Sequence, residues 1–120
     1  MAIRRFEDLN GWQQARELTK GIYRASSTPA FRRDFALSDQ VRRASISVMA
    51  NIAEGFGRKG KCEFIRFLTI AQASSVELRS HLYVALDLGY VDDVCFEDLS
   101  SLAERCENLI GGLIRHLRGS

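Results

Sequence analysis

Two polar residues one helical turn apart are the first candidates for chemistry in this sequence. Asn51 and Glu54 belong to a polar stripe between Gln40 and Arg58 whose members are spaced three or four residues apart. This spacing places them on one face of a helix. An amide beside a carboxylate could orient a substrate and move a proton. The same pattern is typical of a solvated or inter-helix polar face, and we interpret the stripe in that structural sense.

A pair of carboxylates, Glu54 and Glu77, could also perform acid–base catalysis. Each of them has a candidate arginine partner in Arg42 or Arg43. Arg42 points into the apolar arc of its predicted helix, where a charge needs a partner. We therefore predict a structural ion pair between Arg42 and a carboxylate, with Glu77 as the first choice, and we predict no enzymatic activity.

Cysteine and histidine are poorly placed for a metal site or a nucleophile. Cys62 and Cys95 open two successive helices, and antiparallel order puts such positions at opposite ends. The Glu-x-x-His pairs of di-iron bundles are missing, and neither histidine is positioned as a base for a serine. Cys106 lies on the core seam of the last helix and is interpreted as a small hydrophobic residue. We expect no metal ion and no other cofactor.

Composition indicates one ordered domain. The chain has 120 residues, 46% of them hydrophobic, and a single proline. No stretch approaches the roughly 18 apolar residues of a membrane span, and the N-terminus lacks the apolar core of a signal peptide. An odd number of cysteines without motif spacing fits reduced thiols. We therefore expect a cytoplasmic protein with no membrane partner.

The spacing of apolar residues predicts the elements that position these side chains. Repeats at every third or fourth residue predict helices over 8–26, 38–57, 62–88 and 93–118. In the third helix the apolar steps average about 3.5 residues, which favours left-handed packing. No stretch shows the alternation of a strand. We predict an all-α fold, an up-down-up-down antiparallel four-helix bundle with left-handed packing, forming one domain over residues 1–120.

Several turn and cap residues can be assigned at the same time. Ser38 or Asp39 is expected to cap the second helix, and Asp92 or Asp93 the fourth. Gly89 is the expected left-handed residue after the third helix.

Apolar residues also determine which surfaces we expect to be covered. The connection before the second helix should tuck Phe31, Phe35 and Leu37 under the bundle. The apolar arcs of the second and third helices are wider than the stripe of about 100° that a surface helix buries, which favours self-association. Gly111 and Gly112 leave two explanations open, a close approach of two helix backbones or local looseness.

Charge is distributed unevenly along the chain. Residues 1–66 hold 13 lysines and arginines against 7 acids, whereas residues 67–120 hold 4 against 8. The lysines and arginines of the first half can complement helix dipoles, or they can bind the phosphates of a nucleic acid without sequence preference. Antiparallel order gathers the candidate nucleic-acid contacts at one end of the bundle: Arg4, Arg5, Arg58, Lys59, Lys61, Arg115 and Arg118.

The second helix also carries a recognisable signature. Gln40-Val41-Arg42-Arg43-Ala44 and Asn51-Ile52-Ala53-Glu54-Gly55-Phe56-Gly57-Arg58 resemble the signature of a bacterial family of small four-helix-bundle proteins. That family is named for members encoded in intervening sequences of 23S rRNA genes. Phe6-Glu7-Asp8-Leu9 with Trp12, and Leu88-Gly89-Tyr90, extend the resemblance over nearly the whole chain. Met49, where relatives often carry proline, and Asn10-Gly11, in place of an apolar pair, depart from it.

The resemblance implies a homo-oligomer, a ring of five bundles without demonstrated enzymatic activity. A related protein, the accessory variability determinant of diversity-generating retroelements, is a basic pentamer that binds nucleic acid and partners a reverse transcriptase. The signature and polar positions with an expected structural role are Arg42, Arg43, Asn51, Glu54, Gly55 and Glu77. We therefore predict a non-enzymatic, self-assembling homopentamer that binds RNA or DNA. The alternative is a protein–protein interaction scaffold that binds no nucleic acid.

Overall fold

In a computed structural model that describes residues 2–119, the chain forms helices and no strands. The predicted all-α class is confirmed. A 3-10 turn over Phe6–Asp8 precedes five helices, of which four are long. These are α1 (Asn10–Ser26), α2 (Pro29–Arg33), α3 (Phe35–Phe56), α4 (Lys61–Asp87) and α5 (Asp93–Arg118). Met49 lies inside α3, which runs unbroken past the position where a proline was expected from the resemblance.

The four long helices enclose one core. Helices α1 and α4 each contact both α3 and α5, so every long helix has two neighbours. Aliphatic residues spaced three or four apart fill the space between them, because this spacing turns one face of each helix inwards. Fully buried examples from each helix are Leu18, Ile22, Val48, Ile52, Leu68, Leu78, Leu82 and Ile110.

The start of α3 differs from the prediction. Asp34, not Ser38 or Asp39, caps this helix by accepting a hydrogen bond from the Leu37 backbone nitrogen at 3.1 Å. The helix begins earlier because the five residues of α2 already reverse the chain and leave Asp34 in the cap position.

The earlier start also changes which apolar residues are covered. Phe31 and Leu37 are buried as predicted, but Phe35 is 79% exposed. In a helix, residue 35 points away from residue 37, since two residues turn the face by about 200°. The prediction that Phe35 tucks under the bundle is therefore wrong.

Other turn residues are where the sequence placed them. The Asp92 side chain accepts a hydrogen bond from the Cys95 backbone nitrogen at 2.8 Å and caps α5. Gly89 has a φ of +74° after α4. In the next residue the Tyr90 hydroxyl donates to Asp34 Oδ2 at 3.0 Å, and its ring stacks on Phe31 at 5.3 Å between centroids. This contact ties the α2–α3 connection to the α4–α5 connection.

Candidate functional site

Arg42 has neutral partners. Its Nε donates to Ser26 Oγ at 2.8 Å and its Nη2 to Ser27 Oγ at 3.2 Å. Its guanidinium carbon lies 4.6 Å from the centre of the Tyr23 ring. All three partners belong to the end of α1 or follow it directly, so Arg42 fastens α3 to α1. Serine hydroxyls and an aromatic face stabilise the guanidinium without a carboxylate.

The predicted ion pair between Arg42 and Glu77 is therefore wrong. Glu77 is on α4, where its carboxylate lies 3.2 Å from Nε2 of His81, whereas the Arg42 side chain turns towards α1. Arg43, the other candidate partner, pairs with Asp39 one turn earlier at 2.8 Å. Periodicity placed Arg42 beside the apolar arc, but it could not tell which neighbouring helix the side chain would face.

Asn51 and Glu54 are placed for structure. The Asn51 amide nitrogen donates to the Ser47 carbonyl at 2.8 Å and to Ser47 Oγ at 3.0 Å. Ser47 Oγ in turn lies 2.8 Å from Ser74 Oγ on α4. Glu54 is exposed and pairs with Arg58 at 3.0 Å. The polar stripe is therefore part seam between α3 and α4 and part solvated face, as we interpreted it.

Gly55 is needed because α3 and α4 approach each other closely at this position. It is buried, and a methyl group at this position would lie 2.7 Å from Cβ of Phe67 and 3.1 Å from the Phe64 ring. Separations below 3 Å are far inside normal van der Waals contact. Only glycine allows this approach, so the signature residue has a packing role.

A charged network between α4 and α5 was missed by the sequence analysis. Arg79 binds Glu107 through two hydrogen bonds, Nε to Oε2 at 2.7 Å and Nη2 to Oε1 at 2.8 Å. Ser75 Oγ donates to the same Oε2 at 2.9 Å, and the Gln72 amide donates to the Glu107 carbonyl at 3.0 Å. The Glu107 side chain is 13% exposed and that of Arg79 31%. The bond to Glu107 raises the pKa of Arg79.

The signal for this network was available but weak. Gln72, Ser75 and Arg79 follow one another at helical spacing along α4, and Glu107 stands on α5 four residues before Gly111. A methyl group at Gly111 would come 3.1 Å from the Gln72 amide nitrogen. Of the two explanations for this glycine, the structure therefore supports close approach of the two helices.

The seven candidate nucleic-acid contacts lie at one end of the molecule. A Cβ on Gly11, near the start of α1, would contact both Ile52 near the end of α3 and Ile110 near the end of α5. Those helix ends and the α3–α4 turn therefore share an end. The candidates are Arg4 and Arg5 before the 3-10 turn, Arg58 and Lys59 in the α3–α4 turn, Lys61 at the start of α4, and Arg115 and Arg118 in the last turn of α5. We call this the basic end, and its binding role stays a prediction.

Carboxylates already hold two of the seven cations. Arg5 pairs with Glu7 at 2.8 Å and Arg58 pairs with Glu54. The Arg58 guanidinium also lies 5.1 Å from the centre of the Phe67 ring. Arg4, Lys59 and Arg118 are exposed and have no carboxylate partner among residues 2–119. Arg115 is also exposed and has no carboxylate partner among the same residues, so these four are the cations most available to an external anion.

Three other kinds of site can be judged from the described residues: a reactive thiol, a metal site and a membrane span. Cys106 is fully buried, and burial raises the pKa of its thiol to about 12, so it stays protonated near neutrality. Histidine, cysteine and acidic side chains form no cluster of metal-site geometry within the described part of the chain. No helix between residues 2 and 119 has the length and apolar character that crossing a membrane requires.

Residues 7–112 match the model of the 23S rRNA-intervening sequence protein family. The chain belongs to this family. The match confirms the assignment that the α3 signature predicted. A crystal structure of a protein of unknown function from the S23 ribosomal protein family, from Bacteroides thetaiotaomicron, is similar, with a TM-score of 0.79 and 21% identity over 87% of this chain and 97% of the other. At that identity the likeness shows the fold alone. No curated protein matches the chain.

Proposed function

We propose that this member of the 23S rRNA-intervening sequence protein family is a non-catalytic homopentamer that binds RNA without sequence preference through its basic end. The observation that carries the assembly is the exposure of large apolar side chains. Phe35 is 79% exposed and Val94 69%. Seven more apolar or aromatic residues outside the N-terminal segment are also exposed: Tyr23, Ile46, Ile70, Val76, Tyr83, Val84 and Leu88. Tyr23 and Ile46 line one groove together, and monomeric proteins rarely leave contiguous apolar patches in water.

The proposal includes the finer architecture, an up-down-up-down bundle with left-handed packing. Gly11 near the start of α1 approaches Ile52 and Ile110 near the ends of α3 and α5, and Gly55 near the end of α3 approaches Phe67 near the start of α4. Start-to-end contacts of this kind support opposite directions for neighbouring helices. The apolar spacing of about 3.5 residues in α4 supports the left-handed sense.

Two grooves of opposite charge flank α1 and suggest how copies meet. The groove between α1 and α3 has two arginines and one aspartate beside exposed apolar groups, and it is lined by Tyr23, Asp39, Arg42, Arg43, Ile46 and Ser47. The groove between α1 and α5 has two aspartates and one arginine beside Val94, and its charged members are Arg24, Asp92 and Asp98. Complementary charges favour contact between the first groove of one copy and the second groove of the next.

The heights of the two grooves along α1 support a closed ring. Thr19 Oγ1 of α1 donates to the Ser45 carbonyl of α3 at 3.2 Å, and Gly21 lies against Leu99 of α5. Both grooves therefore stand at the same height along α1, on its two sides. A head-to-tail contact between different faces at equal height leads to a ring instead of a filament.

Charge reversal tests this contact. Arg43 and Asp98 are exposed, so reversing either charge spares the core. We expect the unchanged protein to elute with five times the 13.5 kDa chain mass in size-exclusion chromatography with light scattering. Arg43→Glu and Asp98→Arg should each lower the mass, and the double reversal should restore it. A 13.5 kDa particle at micromolar concentration would contradict assembly. A stable pentamer in every variant would mean that the interface lies elsewhere on the surface.

The basic end supports the nucleic-acid part of the proposal. Each lysine or arginine that meets a phosphate releases counterions, which makes affinity fall steeply with salt. A ring would repeat the basic end in every subunit, and linked weak sites add up to a useful affinity. The Phe67 ring beside Arg58 is buried and covered by the guanidinium groups of Arg58 and Arg66. It therefore offers bases no open stacking surface, which supports binding without sequence preference.

Two triple variants with the same change in charge test RNA binding. Replacing Arg4, Lys59 and Arg118 by alanine removes cations of the basic end without touching an ion pair. Replacing Arg32, Arg33 and Arg105 removes three cations that lie outside the basic end and outside both grooves. In fluorescence anisotropy with a structured RNA, the first variant should lose about tenfold in affinity and the salt dependence of log K should flatten by about two. Equal losses in both variants would contradict a site at the basic end.

The alternative function is a protein–protein scaffold. The ion pairs of Arg5 and Arg58 favour it, because cations already held by carboxylates are less available to phosphates. Arg58 also follows the C-terminus of α3, where a cation complements the helix dipole. An assembled protein that binds no RNA even at low salt would select the scaffold. The prediction of assembly and the prediction of RNA binding can therefore be contradicted independently.

A further inference from the structure

A cavity of about 210 Å³ lies inside the basic end. Its walls are mostly aliphatic and come from all four long helices and the N-terminal segment; Leu109 and Leu113 are partly exposed there, while Ile52, Leu68 and Ile110 lie buried behind them. Ile3, which is 47% exposed, stands at the mouth. A site lined almost entirely by isoleucine and leucine is poorly hydrated, so an apolar occupant would lose little water on entering.

Gly11 creates the space. It lies at the second position of α1, where any side chain would project into the cavity wall. A Cβ at this position would meet Ile110 Cγ1 at 3.6 Å, Ile52 Cδ1 at 3.8 Å and Leu109 Cβ at 3.8 Å, which are ordinary van der Waals contacts. The glycine is therefore not required by close packing, in contrast to Gly55. A methyl group at position 11 would fit, and we expect a longer side chain to extend into the cavity that Gly11 lines.

The rim carries the polar groups. Asp8 and Asn10 line the cavity where it opens to solvent. Asp8 Oδ2 accepts a hydrogen bond from the Arg4 backbone nitrogen at 3.2 Å. Its other oxygen, Oδ1, has no hydrogen bond to the described residues and can accept one from a bound molecule. An apolar pocket with one convergent acceptor is a common design for small-ligand sites.

We propose that this cavity binds a small neutral aromatic compound of one or two fused rings that carries a single N–H or O–H donor. An aliphatic cavity of about 150 Å³ holds benzene, and the 210 Å³ here leaves room for a second fused ring. The rings contact the leucines and isoleucines, and the donor points to Asp8. An anionic ligand is excluded, because Asp8 would repel it and the aliphatic walls offer nothing to replace its hydration. The inference does not depend on RNA binding.

Indole is the probe for this site. We expect a dissociation constant between about 0.1 and 1 mM, given so few heavy atoms. In carbon-13 methyl spectra of the full chain, indole should shift the methyl groups of Ile52, Leu68 and Leu113. Those of Leu37 and Leu82, which lie towards the other end of the bundle, serve as the internal control. Methyl shifts spread evenly over both ends of the bundle would overturn the proposal. So would the absence of shifts at an indole concentration of about 5 times the upper expected dissociation constant.

Substitutions at two glycines make the test specific. Gly11→Leu should fill the cavity and weaken indole binding at least tenfold, and Gly11→Ala should weaken it a few-fold. Gly112→Ala is the matched control, because a Cβ there would meet only the Arg115 guanidinium at 3.8 Å. It gives the same gain in helix propensity outside the cavity. Unchanged binding in Gly11→Leu would rule out the cavity as the site.

Two further measurements identify the ligand class and the occupant. Indene has the shape of indole without its N–H, so it should bind several-fold more weakly, and equal affinity would refute the role of Asp8. A second copy of the chain could also insert a side chain into the cavity. Methyl shifts that appear only in the Arg43→Glu protein, once it has dissociated, would mean that assembly fills the cavity and would overturn the proposal.

Discussion

The two seams of α4 are built on different principles. Towards α3 the helix meets small and neutral groups: Ser74 faces Ser47, and Phe67 rests on Gly55. Towards α5 it meets a mostly buried ion pair, in which Arg79 binds Glu107. The first seam depends on how closely two backbones approach, and the second on whether a charge keeps its partner. The recognisable signature of the sequence falls on the first seam, while the second has no motif.

The largest effect should come from removing the carboxylate of the α4–α5 seam. Glu107→Ala leaves the guanidinium of Arg79 partly buried without its partner, which should lower the free energy of unfolding by about 3 kcal/mol. Replacing both residues with apolar ones, Arg79→Met with Glu107→Leu, should cost less than the single change. Urea denaturation of the three proteins measures both values. A double variant less stable than Glu107→Ala would show that packing, not charge, dominates this seam.

In the α3–α4 seam, added side-chain volume should be the destabilising change. Gly55→Ala introduces a methyl group 2.7 Å from Cβ of Phe67, and the overpacking should cost about 2 kcal/mol after the gain in helix propensity. Gly57→Ala is the control, since its Cβ would lie no nearer than 3.6 Å to another atom. Thermal unfolding followed by circular dichroism compares the two. A Gly55→Ala protein as stable as Gly57→Ala would mean that the helices can move apart freely.

A smaller effect is expected from the serine contact of the same seam. Ser74→Ala removes the partner of Ser47 Oγ, but Ser47 keeps its bond from the Asn51 amide. The loss should be about 1 kcal/mol, the net value of one neutral hydrogen bond. Ser80→Ala, at an exposed position of the same helix, controls for helix propensity. Equal stability of the two variants would show that the seam relies on shape alone.

The smallest effect concerns pH. The bond to Glu107 raises the pKa of Arg79 above its ordinary value. A raised pKa adds stability that is complete below the unfolded-state pKa and lost only as pH rises through the folded-state pKa. The coupling energy of Arg79 and Glu107, from a double-mutant cycle, should therefore be the same at pH 7 and pH 10. A clear decrease at pH 10 would indicate that another titrating group maintains the seam.

The helices and most caps could be predicted because they follow from local spacing. Gly89, Asp92 and the burial of Cys106 each depend on residues within a turn or on one helical face. The partners of Arg42 and Glu107 could not be predicted, since periodicity gives the face of a helix but not the neighbour that the face meets. Phe35 was misplaced because the prediction put it in a connection; α3 already begins at this residue, so its side chain points away from that of Leu37.

The hydroxyl of Tyr90 and the carboxylate of Asp34, 56 residues apart in sequence, fasten two connections together. Asp34 leaves the ribosome long before Tyr90 does. The nascent chain can therefore form α1 to α3 early, but the turn that Asp34 caps stays open on one side until the α4–α5 connection has been synthesised. Synthesis of Tyr90 thus completes a contact whose other half was made 56 residues earlier.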